Sequence, residues 1–225
     1  MHRFKTEELF DLSHSLAGSY LKEFEYPWSV LPNLKKYIEE LIEILADNAD
    51  YRFLSDGVLV SESAEVSPLA TVCAPCVIGP RSELRTGAYI RGSVIVGESC
   101  VVGNSCEIKN SVLFDRAQVP HFNYIGDSIL GYRAHTGAGA ITSNVKSDKT
   151  LVTVKCDGIE IETGMKKLGA MIGDFAEIGC NCVLNPGTVI GRNTSVYPLS
   201  SVRGVVAEDC IYKSADNIVP KNKKR

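Results

Sequence analysis

Few side chains in this sequence can do chemistry, and the most telling are its histidines. There are four: His2, His14, His121 and His135. His121 stands in VPHFNYIGDS and His135 in AHTGAGAITSN. An imidazole titrates near neutral pH, so one held at the edge of a rigid scaffold can take a proton from an attacking nucleophile. The same group can also stand idle in solvent, and residue type alone leaves both readings open. The eight cysteines suggest metal chemistry at first sight. Only Cys73 and Cys76 have C-x-x-C spacing, however, and a zinc ribbon needs a second pair. No metal site is expected.

The element that must position these groups is a repeat. Aliphatic residues recur at every sixth position through Val66, Val72, Ile78, Leu84, Ile90, Val96, Val102, Ile108 and Phe114. A second run reads Ile172, Ile178, Leu184, Ile190, Val196 and Val202. Neither the helical period of 3.6 nor the strand period of 2 produces a period of six. Short parallel strands joined by tight turns do, three hexads closing one triangular coil and coils stacking at roughly 4.8 Å. Each aliphatic residue points into a narrow interior. The residue four positions later is small and also points inward, as at Ala88, Ser82 and Thr188. Cys76, Cys100, Cys106 and Cys182 fall in this slot, which assigns them to packing. Stacked coils bury together what none buries alone.

Residues 1–55 lack the hexad and are expected to form a helical cap over the open end of the first coil. A short helix is expected over residues 6–18. A better one follows Pro32, with Leu34, Tyr37, Ile38, Leu41, Ile44 and Leu45 on one face. Phe24, Tyr26 and Trp28 are expected to pack between them. The coil is expected over residues 56–215, with a basic tail at 216–225. Residues 115–171 break the phase, and His121 lies where register is lost. Within them Asp157-Gly158, flanked by Thr150–Lys155 and Ile159–Glu162, signals a hairpin protruding at about 146–168.

Composition narrows the function. Twenty-four basic residues against twenty-seven acidic ones give no basic field, so no nucleic-acid partner is expected. No apolar run approaches a membrane span, and MHRFKTEELF lacks the apolar core of a signal peptide. A cytoplasmic location follows as the expectation.

The segment KNSVLFDRAQVPHFNYIGDSILGYRAHTGAGAITSNVKSDK resembles the acetyltransferase half of the bifunctional enzyme that makes UDP-N-acetylglucosamine. GMKKLGAMIGDFAEIGCNCVLNPGTVIG, with the hairpin before it, is similar to archaeal-type sugar-1-phosphate nucleotidylyltransferase/acetyltransferases. The resemblance covers roughly residues 66–210. It implies a mainly β fold, a left-handed parallel β-helix of hexapeptide repeats, assembled as a homotrimer with sites between neighbouring coils. It also implies acetyl-CoA as co-substrate and an amino-sugar 1-phosphate, such as glucosamine-1-phosphate, as acceptor. By the same resemblance His121 is the general base. Arg91 and Lys109 hold the sugar phosphate, Tyr124 contacts the sugar, and Ala138, Asn144 and Lys149 touch acetyl-CoA. His135 stands where bacterial members place a substrate-binding asparagine, and Cys180 where they place a small serine lining the acetyl-CoA groove. Two groups stand open as the oxyanion donor: a backbone N–H near Gly137-Ala138-Gly139, or the Asn144 amide. The family's nucleotidyltransferase domain is absent from these residues, so that activity is not expected.

The alternatives are an acyltransferase acting on a nucleotide-linked amino sugar and a non-catalytic sugar-nucleotide scaffold. A zinc-dependent carbonic anhydrase on the same coil needs three converging histidines, and only His121 and His135 are candidates.

Overall fold

The computed structural model describes residues 4–156 and 158–221. His2, Asp157 and the end of the basic tail lie outside the described residues. From Val58 onward the chain winds through three parallel sheets in rotation, as the period of six requires. Face I starts with the strand Val58–Ser61 and ends with Val205–Val206. Face II runs from Glu65–Val66 to Cys210–Ser214. Face III runs from Thr71–Val72 to Ser201–Val202. Antiparallel strands finish two edges: Tyr51–Ser55 pairs with the first strand of face I, and Asn217–Pro220 with the last coil strand of face II. Both turn an open edge into a paired one.

The interior is the expected one. Leu84, Ile90, Val96, Val102 and Ile108 are buried in one continuous core with Cys76, Cys100, Cys106 and Cys182. Burial pushes the Cys100 thiol up to about 12, so it packs as a small neutral group. Phe114 departs from the expectation. Leu113 fills the inward slot, and Phe114 turns outward against Phe10, ring centroids 5.0 Å apart. One residue is missing from the turn between Ile108 and Leu113, and again between Ile125 and Leu130. Asn110 and Asp127 make these tight turns in the left-handed region, at φ 46° and 49°. The phase therefore breaks at the corner between faces III and I, not at His121. There the ladder is regular, with His121 opposite Asn104.

The N-terminal segment corrects a second expectation. It lies along the outside of face I rather than over the open end of the first coil. The outward residues of face I form an aliphatic ladder through Leu59, Val77, Ile95, Val112, Ile129, Met171 and Val189. The helix Leu34–Leu45 buries Leu34, Ile38, Leu41 and Ile42 in the same cluster. Covered on both sides, face I reads as unbroken apolar strands such as Val94–Val96. Ile44, expected on the buried side, is 74% exposed, because it lies about 120° round the helix from Ile38, off the stripe that Leu34, Leu41 and Ile42 share with it. Residues 6–18 hold two short turns, Thr6–Leu9 and Leu12–His14, rather than one helix. Trp28 is buried and stacked on Tyr26 as the aromatic cluster predicts. A clasp fixes the segment to the coil: buried Asp174 accepts from the Asp11 and Tyr132 N–H groups and from Arg192, whose Nε donates to the Leu9 carbonyl.

The hairpin forms from Thr153–Cys156 and Ile159–Glu162, shorter on its first strand than expected.

Candidate functional site

The expected site residues fall into two groups flanking face III, with two members elsewhere. At the corner between faces II and III the chain repeats one tight turn on successive rungs. Phe122 N–H donates to the Asn104 carbonyl, Gly139 to His121, Asn181 to Ala138 and Leu199 to Cys180. This stack places His121, Ala138 and Cys180 along a single edge, although 59 positions separate the first from the last in sequence. His121 is exposed, and its imidazole has no hydrogen-bond partner among the described residues. Its backbone N–H donates to Asn123 Oδ1 at 3.1 Å.

The second group sits where face III turns into face I. Arg91 and Lys109 occupy successive rungs, and Gly126 follows opposite Lys109. A Cβ on Gly126 would lie 2.5 Å from the Tyr124 hydroxyl, so glycine leaves the space in which that ring lies. The Asn144 amide donates to the Tyr124 hydroxyl at 3.1 Å. Burial, then the nearby Asp127 carboxylate, pushes the Tyr124 phenol up. It stays protonated, with its own hydrogen free to donate to a ligand.

Sequence reasoning missed the residue on which this second group converges. Asp127 is 5% exposed and accepts from Lys109 Nζ through both oxygens at 3.1 Å. It also accepts from Asn110 at 2.8 Å and from Asn144 at 2.5 Å. The available signal was the shortened turn, which in Lys109-Asn110 and Gly126-Asp127 brings polar residues from successive rungs together. Glu107 was missed as well; it pairs with Arg91 at 2.6 Å. Each cation assigned to a phosphate therefore already has a carboxylate partner, and an incoming phosphate must compete with it.

Two expected members lie apart. His135 is on the outside of face II, between Gln118 and Glu177 in the ladder, with Nδ1 2.9 Å from the Glu177 carboxylate. Lys149 is exposed in the loop before the hairpin, at φ 59°, with its N–H on the Lys146 carbonyl.

The candidate oxyanion donors can be separated. Gly137 and Gly139 N–H groups donate to the Ile178 and His121 carbonyls, and the Asn144 amide donates to Tyr124 and Asp127. The Ala138 N–H, between the two glycines, has no acceptor among the described residues. It lies one rung beyond His121 on the same edge.

Comparison with known proteins gives three kinds of match. A family model described as the GMPPB C-terminal domain matches residues 72–172. The chain is 31% identical over 181 residues to a bifunctional sugar-1-phosphate nucleotidylyltransferase/acetyltransferase of Sulfurisphaera tokodaii, covering 80% of this chain and 45% of the relative. It is 29% identical over 208 residues to the bifunctional protein GlmU of Methanococcus maripaludis, covering 92% of this chain and 50% of that one. The chain thus spans about half the length of the curated relatives it matches. Among solved structures, the acetyltransferase domain of PglB from Neisseria gonorrhoeae, in complex with acetyl coenzyme A, aligns at 15% identity. That alignment has a TM-score of 0.36 over 84% of this chain and 67% of that one.

Proposed function

Since this chain is homologous to part of the bifunctional sugar-1-phosphate nucleotidylyltransferase/acetyltransferases, we propose that it transfers an acetyl group from acetyl-CoA to the amine of an amino-sugar 1-phosphate. One observation carries the reading: the stack that lines up His121, the unoccupied Ala138 N–H and exposed Cys180 on one edge of face III. An acyl transfer to an amine needs a base, a donor for the tetrahedral oxyanion and a channel for the thioester. His121 takes the proton as the amine attacks the thioester carbonyl. The Ala138 N–H receives the developing oxyanion, and the thiolate leaves along the edge past Cys180. Across face III, Tyr124 donates to the sugar while Lys109 and Arg91 exchange part of their carboxylate pairing for the phosphate. The strand Tyr124–Gly126 is three residues long, so roughly 10 Å separates the two groups, about the reach of a sugar phosphate. A second copy of the chain would close the groove. No helix of the described residues is long and apolar enough to cross a membrane.

A second assignment of the base has one observation in its favour: His135, not His121, has a carboxylate oriented on its ring. The test is release of free thiol from acetyl-CoA across a panel of amino-sugar phosphates and nucleotide-linked amino sugars. His121→Ala is expected to lower kcat by at least about a hundredfold with acceptor binding retained. A collapse in His135→Ala with His121→Ala unaffected would move the base to His135. A wild type without transfer on any acceptor would leave the scaffold reading.

A further inference from the structure

At the edge of face II opposite His121, with His135 on the flat between them, Arg116 and Arg133 stand at the corner between faces I and II. Both occupy the left-handed turn position, at φ 60° and 55°. The Arg133 N–H donates to the carbonyl of Asp115, directly before Arg116, so the two residues lie on successive rungs about 4.8 Å apart. With Ser99, Gln118, His135 and Glu177 they line a cleft of about 720 Å³.

The charge in this cleft is not balanced. Arg81, at the same corner nearer the start of the coil, is paired with Glu98. Arg52, Arg85, Arg91 and Arg192 each have a carboxylate as well. Arg116 and Arg133, like Arg203 elsewhere, make no ion pair within 4 Å among the described residues, and only the Asp115 carboxylate acts on Arg116 from nearby. The one carboxylate lining the cleft, Glu177, is engaged by His135. Arg133 is also preorganised: its guanidinium lies 5.5 Å from the centroid of the Tyr132 ring, which is stacked on His14 at 3.8 Å. A side chain held in this way loses less freedom on binding.

Two like charges one rung apart repel. A ligand carrying two adjacent anionic groups reverses that, each guanidinium fork taking one of them. A single phosphate engages one fork fully and leaves the other in solvent. We propose that Arg116 and Arg133 form a binding site for the diphosphate group of a nucleotide-type ligand. Coenzyme A and a nucleotide-linked sugar both carry this chemistry. The cleft shares His135 with the function proposed above, but anion binding is read without acyl transfer, so its failure is distinguishable from failure of that function.

The experiment is calorimetric titration of the full chain with inorganic pyrophosphate and with orthophosphate. Wild type, the double variant Arg116→Gln/Arg133→Gln and the control Arg81→Gln are compared. Pyrophosphate is expected to bind wild type at least tenfold more tightly than orthophosphate. The double variant is expected to lose roughly ten- to hundredfold in affinity, and Arg81→Gln almost nothing. Equal affinity for the two anions, an unaffected double variant, or an equal loss in Arg81→Gln overturns the proposal. Repeating the titration with coenzyme A and with uridine diphosphate identifies the source as whichever the double variant weakens; weakening of neither also overturns it.

Discussion

Replacing Asp127 by Asn tests whether the second group of site residues is held together as described. Both carboxylate oxygens accept: one from Lys109 and Asn110, the other from Lys109 and Asn144. An amide supplies only one acceptor. Whichever way it is turned, its NH2 faces a donor, and Lys109 cannot accept. Asn110 or Asn144 can rotate its own amide to compensate; the ammonium cannot, and it is only 23% exposed. The loss is therefore about one charged hydrogen bond, roughly 2 kcal/mol. For a chain of this size that lowers Tm by about 4–8 °C. Thermal unfolding followed by circular dichroism reads the shift, and urea unfolding with an unchanged m-value shows that the native state stayed compact. Because the carboxylate is buried, the loss should persist in high salt. A shift below about 1 °C, or one abolished by salt, would refute the network as the force that holds Lys109.

Further outcomes follow from the packing. Ile38→Ala should cost about 2–5 kcal/mol in chemical denaturation and Ile44→Ala under about 0.5, since only the first touches the outer ladder of face I; equal losses would place the helix over the coil end instead. In the native protein exposed Cys180 should react first with a thiol reagent, while Cys76, Cys100, Cys106 and Cys182 stay protected until unfolding exposes all eight thiols. Cys106→Leu should overfill its slot and cost about 1–3 kcal/mol, read by urea midpoint. Gly126→Ala should drive the Tyr124 ring off Asn144, raising the acceptor KM with little change in Tm; an unchanged KM would remove Tyr124 from the acceptor site.

How far the site could be read in advance depended on how each residue reaches it. His121, Ala138 and Cys180 came from family resemblance, since separations of 17 and 42 positions do not match whole turns of eighteen; the shortened turn and the hairpin between them hid the stack. Arg91, Lys109, Tyr124 and Asn144 also came from family resemblance, and the structure groups them at one corner. Asp127 was not legible. A single carboxylate after a glycine looks like a turn residue until the rungs on either side are seen to supply three donors. His135 was legible as a residue and misleading as a neighbour: fourteen positions from His121, it lies on the next rung but on the flat of face II rather than at its corner.

The sequence by itself determined the coil, because an inward aliphatic every six residues and a small partner four later fit no other backbone period. It determined which thiols are packing and that a hairpin leaves the coil before Met171. Only the tertiary structure decided what lies on each face. Periodicity reports which side chains point inward and is silent about what covers the outside. The helix Leu34–Leu45 could therefore be recognised as amphipathic, but not assigned to face I until the ladder from Leu59 to Val189 was assembled from seven rungs. The shortened turns at Asn110 and Asp127 acted in the same way. Each removes one residue, which moves Phe114 from the interior to the helical layer and brings Lys109, Asp127 and Asn144 within hydrogen-bonding distance, an outcome set by the stacking of rungs and not by any one of them.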